Sequence, residues 1–145
     1  MRGKIVDYYF DDGALFSSVT KATPYGTFSA TALAAEEDED IATMWDGLKF
    51  AEMKCDIQAM HEKARRMRQR AIGAENALKA LDNIGTCDPY TLDMLERQVW
   101  TAYNEADKYK EVYEEMRDSY KAYTNIILRR RRELRNKVNE SKSAD

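Results

Sequence analysis

The chain has 145 residues, a formal net charge of −3, 34% charged residues and 43% hydrophobic ones. That length suits one domain, and the balance suits amphipathic helices while excluding wholesale disorder. No apolar run approaches the roughly twenty residues that a membrane helix needs. Arg2 and Lys4 lead into Asp7, Asp11 and Asp12 rather than an apolar signal core, so no secretion and no membrane association are expected.

Residues 1–34 read as a short N-terminal β-hairpin or partner-binding segment. Lys4 to Phe10 is β-branched and aromatic, Asp11-Asp12-Gly13 offers a turn, and Ala14 to Thr20 is again strand-like. Pro24-Tyr25-Gly26 marks a second turn, after which Thr27 to Thr31 could add a short third strand. A ribbon of this size is marginal alone and needs a helix or a partner to pack on. Glu36, Glu37, Asp38, Glu39 and Asp40 then form an acidic run, favourable at the N-terminal turn of a helix.

Residues 35–140 predict a long antiparallel helical hairpin, coiled-coil-like, with its turn near 84–89. In the first helix Phe50, Met53, Ile57, Met60, Ala64, Met67, Ala71, Ala74, Leu78 and Leu81 recur in threes and fours. Ile41, Met44, Leu48, Ala51 and Cys55 form a second, overlapping stripe, with Trp45 beside it. So wide an apolar face calls for more than one neighbour. Gly47 interrupts it and marks a bend or a close contact. Gly85 suits a helix C-cap, Asp88 an N-cap and Pro89 the first helical position beyond it.

The second helix carries the longest stripe: Leu92, Leu95, Val99, Ala102, Ala106, Tyr109, Tyr113, Met116, Tyr120, Tyr123, Ile127, Arg130 and Leu134. Thr91 to Asn139 as one helix would run on the order of 70 Å, at about 1.5 Å per residue. Antiparallel pairing sets Phe50 near Tyr123, Met53 near Tyr120 and Met60 near Tyr113. It also sets Lys63, Arg65, Arg66, Arg68 and Arg70 across from Glu105, Asp107, Glu111 and Glu114, and Arg129 to Arg132 beside the acids at 36–40. Residues 141–145 lack an apolar anchor and read as a disordered tail.

Cys55 in the first helix and Cys87 in the turn lie tens of Å apart at about 1.5 Å per residue, too far for a disulfide. Their unpaired use fits a cytoplasmic protein. His61 is the single histidine, and no phosphate-cradling glycine motif or Glu-x-x-His pair occurs. No cofactor, metal or catalytic residue is therefore assigned, and the expectation is a non-enzyme.

The expected function is protein–protein interaction or assembly, as scaffold, adaptor or inhibitor. Self-association as a homodimer and a larger protein partner are both expected, with Trp45, Phe50, Trp100, Tyr113, Tyr120 and Tyr123 at the interface. The competing reading is nucleic-acid binding through Arg129, Arg130, Arg131 and Arg132. Four consecutive helical residues point round most of the circumference, which disfavours their reading one groove together. A small enzyme is the remaining alternative and has the least support.

Overall fold

A computed structural model describes residues 3–11, 14–34 and 44–143. Three strands come first, β1 (Lys4–Asp11), β2 (Ala14–Thr23) and β3 (Gly26–Ala34). Two long helices follow, α1 (Met44–Ile84) and α2 (Pro89–Ser143). The described residues are thus mainly helical, with a three-stranded antiparallel sheet at the N-terminus. The Asp12-Gly13 turn, the acidic run at 36–40 and Ile41 lie outside the described residues. The described residues fall into two compact units, Met1–Ala59 with Met116–Asp145, and Met60–Glu115.

In the first unit the sheet has the order β1-β2-β3. The third strand is no brief addition: Gly26–Ala34 pairs with β2 along its whole length. Its entry turn is fixed locally. The Tyr25 N–H donates to the Thr23 hydroxyl oxygen at 3.2 Å, that hydroxyl donates to the Gly26 carbonyl at 2.7 Å, and Gly26 takes φ of 130°. Alternation then divides the faces. Ser17 and Val19 of β2, with Ala30 and Ala32 of β3, are buried.

That buried face meets the second apolar stripe of α1. Val19, Ala30, Ala32, Ala51 and Cys55 form one cluster, with Leu48 and Phe50 packed against it. The wide face of α1 thus has a sheet on one side. Small side chains dominate the contact, so the helix approaches closely. A Cβ on Gly47 would run into the Ser17 side chain, which answers why glycine interrupts the stripe: it marks a close contact. The Cys55 thiol lies over the sheet and donates to the Val19 carbonyl at 3.3 Å and the Phe28 carbonyl at 3.5 Å. Polar pairs rim the cluster. Lys21 bridges Asp56 at 2.8 Å and Glu52 at 3.0 Å, Lys4 reaches Glu52 at 3.4 Å, and Lys54 donates to the Thr31 carbonyl at 3.3 Å.

The same unit pairs Phe50 of α1 with α2. Its ring meets Tyr123 at 5.3 Å and Tyr120 at 6.2 Å, both edge-on. Further along α2 the inward positions are Ile127, Arg131, Arg135 and Val138. The expected stripe through Arg130 and Leu134 is therefore displaced by one residue, and both are exposed. Steps of four from Ile127 keep one side of the helix inward, whereas a step of three to Arg130 turns about 60° away at about 100° per residue. The segment 141–143, read as the start of a tail, is the last turn of α2. There the Ser143 hydroxyl donates to the Asn139 carbonyl at 2.9 Å, and Lys142 sits where the helix dipole favours a cation.

In the second unit α1 and α2 run antiparallel. Lys63 stands over the Tyr109 ring at 3.9 Å, His61 packs on Tyr113 at 4.9 Å, and Tyr103 hydrogen-bonds Glu75, so partner numbers fall as α1 advances. Ala71 and Ala106 are buried. The connection is built as its residues dictate. Gly85 closes α1 with φ of 74°. Asp88 caps α2, accepting from the Thr91 N–H at 2.9 Å and the Thr91 hydroxyl at 2.8 Å. These bonds hold the Asp88 carboxyl below its ordinary value.

Candidate interaction surfaces

The outer face of the sheet is the first candidate. Register aligns Tyr9, Phe16 and Leu33 in one row across the three strands. Tyr9 and Phe16 stack at 5.0 Å, nearly parallel. Leu33 is 58% exposed, and Ile5, on the same side of β1, is 69% exposed. Two rows along the same face, beside Ile5, Thr20 and Ser29 join through a 2.8 Å hydroxyl–hydroxyl hydrogen bond. The outer face thus carries exposed apolar residues at its two ends with the polar row Asp7, Ser18 and Thr31 between them, while the opposite face packs on α1.

The second candidate is one flank of the helix pair in the second unit. Ala64 and Ala106 are too small to fill the space between the helices, leaving a cavity of about 260 Å³. Its lining adds His61 and Tyr113 and the charged Arg65, Arg68, Asp107 and Lys110. Arg65 and Arg66 take Glu62 on their own helix, at 2.9 and 3.0 Å. The partner they share is thus a near neighbour in sequence. The hydrogen bond from Arg65, with a smaller contribution from Arg66, holds the Glu62 carboxyl down at about 2.

The residues singled out from sequence divide between these places. Phe50, Tyr120 and Tyr123 come together, as a half-buried aromatic cluster within the fold. Tyr113 packs against His61 with the rings tilted and lines the cavity of the other unit. Trp100 stands 69% exposed. Trp45 falls in the first turn of α1, and its side chain lies outside the described residues. Arg129, Arg130 and Arg132 are exposed and Arg131 is half-buried. The acids expected beside them lie outside the described residues.

Sequence reasoning missed the outer row of the sheet and Ile72. Alternation in β1 was visible, but Ile5 and Tyr9 on one face match Val6 and Tyr8 on the other, so polarity does not identify the buried side. Ile72 lies off both apolar stripes of the first helix.

Among the described residues no group of three or more His, Cys, Asp or Glu could hold a metal ion, and no helix is long and apolar enough to cross a membrane. Comparison with protein-family models, curated proteins and solved structures finds no match.

Proposed function

We propose that the chain is a non-enzymatic interaction or assembly protein. In this reading it works through a helical hairpin of coiled-coil type, self-associates, and binds a larger protein partner as scaffold, adaptor or inhibitor. The observation that carries it is the apolar row Tyr9, Phe16 and Leu33 on the sheet face away from α1. A three-stranded sheet needs one apolar face to dock on a helix; an apolar row on the other face is surplus to folding and suits a partner.

The test is replacement of Phe16 and Leu33 by serine. The inner face is untouched, so the helical spectrum should persist. The natural chain should retain a stoichiometric protein from an extract of its own cells, and the double variant should lose it. Equal recovery with both chains, or no stoichiometric protein with either, would contradict this reading.

A second reading rests on Arg129, Arg130 and Arg132, exposed along the end of α2. It makes the chain a nucleic-acid-binding protein that contacts phosphates. It requires salt-dependent retention on DNA or RNA that disappears when residues 129–132 are changed to glutamine. No retention at low salt would remove it.

A further inference from the structure

We infer that a second copy of this chain packs on one particular flank of the helix pair 60–115, with its two-fold axis parallel to the helices. The inference deepens the self-association proposed above and rests on it.

Observed contacts identify the flank. Arg65 and Arg68 of α1, with Asp107 and Lys110 of α2, line one cavity. Glu75 and Tyr103 are joined on this side too. Residues three, four or seven apart share a helix face. Ile72 follows Arg65 by seven and Arg68 by four, and Lys79 follows Ile72 by seven. Trp100 precedes Tyr103 by three and Asp107 by seven, and follows Glu96 by four. All therefore belong to this flank. The two apolar members, Ile72 and Trp100, are 42% and 69% exposed.

The pairs Lys63–Tyr109 and Glu75–Tyr103 fix which residues stand level across the two helices. Equal rise on the two helices and the mean of these two pairs set Arg68 level with Asp107, Lys79 with Glu96, and Ile72 with Tyr103, one turn from Trp100. Opposite signs face each other at two levels, with an isoleucine and a tryptophan between them. Glu75 and Lys110 are the exceptions to the sign of each edge. Glu75 is already held by Lys79 at 3.1 Å and by Tyr103.

A two-fold axis along the helices lays α1 of one copy over α2 of the other without changing levels. Ile72 of each copy then lies within one turn of Trp100 of the other, Arg68 meets Asp107, and Lys79 meets Glu96, each contact occurring twice. Such an isologous contact is self-complementary by construction. It places every helix antiparallel to its neighbours, as in a four-helix bundle. It also brings side chains of the second copy over the hollow left by Ala64 and Ala106. An axis perpendicular to the helices and lying in the plane of the flank would instead set α1 on α1, Arg68 among arginines and Asp107 among acids.

Sedimentation velocity on the full chain reads the dimer dissociation constant, with circular dichroism confirming that each variant keeps its helices. Trp100→Glu should raise the constant at least about thirtyfold, the scale of an anchor at the centre of an interface. Phe16→Ser, on the outer face of the sheet, should leave it unchanged. Arg68→Glu and Asp107→Arg should each weaken self-association. Mixing the two single variants should restore a heterodimer, because both inter-copy pairs are then opposite in sign while neither chain has regained an internal pair. Recovery on mixing supports the two-fold arrangement, and its failure overturns it. A dimer insensitive to Trp100→Glu but dissociated by Phe16→Ser overturns this flank and leaves self-association standing. A natural chain that stays monomeric overturns both.

Discussion

Gly47 and Gly73 sit in the same helix and face opposite consequences. Alanine is worth up to about 1 kcal/mol over glycine in a helix interior. At Gly73 an added Cβ meets nothing within 4 Å, so Gly73→Ala should raise stability by up to about that amount. At Gly47 the same Cβ would overlap the side chain of buried Ser17, so Gly47→Ala should cost about 1–3 kcal/mol, the usual penalty of overpacking. Thermal unfolding of the two variants should therefore move in opposite directions. Equal gains would mean that α1 and β2 are not in close contact. Asp88→Ala removes the cap of α2 and should lower the unfolding temperature in the same measurement, with the difference shrinking as the carboxyl is protonated in the natural chain.

At the level of elements, the docking of α1 on the sheet depends on a small apolar cluster and a charged rim. Burial opposes the charge on Lys21, but hydrogen bonds to Asp56 and Glu52 outweigh it and raise its pKa above 10.5. The hydrogen bond from Lys21 lowers Glu52 below its ordinary 4.5, against the effect of burial. The depressed carboxyl contributes stability above pH 4.5, and that contribution fades as pH falls through its folded value. The raised ammonium contributes fully below pH 10.5 and loses its effect as pH rises through its folded value.

Cys55 reports on this contact, because its thiol is buried between helix and sheet and burial raises its pKa. In a Cys87→Ser background, labelling by 4,4′-dithiodipyridine should be slow at pH 6 and faster near pH 3. Lys21→Gln should speed labelling at pH 6 and flatten the acid change. Identical rates in both chains at both pH values would show that the rim does not hold the sheet down.

The elements themselves were largely legible. Spacings of three and four marked both helices, and Gly85, Asp88 and Pro89 marked the break between them, because capping chemistry is local. The overlapping stripe through Leu48, Ala51 and Cys55 told of a second neighbour for α1. It could not name the sheet, since Val6 and Tyr8 are as apolar as Ile5 and Tyr9. The inward positions after Ile127 were misplaced by one residue because Arg131 and Arg135 lie on the inner side while Leu134 points outward. Polarity, the signal being read, reverses there. The candidate flank was harder still: it follows from which helix faces meet, and no single stripe contains both Ile72 and Trp100.

For the molecule as a whole, the central claim is that surfaces left open by folding are filled by protein, beginning with a second copy of the chain. The charge pattern gives that association a salt dependence. Arg68 with Asp107 and Lys79 with Glu96 are rim pairs around an apolar centre, so raising salt should weaken the dimer modestly without abolishing it. The most direct measurement is sedimentation equilibrium of the natural chain across a concentration series at physiological salt. The monomer mass is 16.8 kDa. The account predicts a single reversible transition from that mass to twice its value. A mass that stays at the monomer value throughout the series would contradict it.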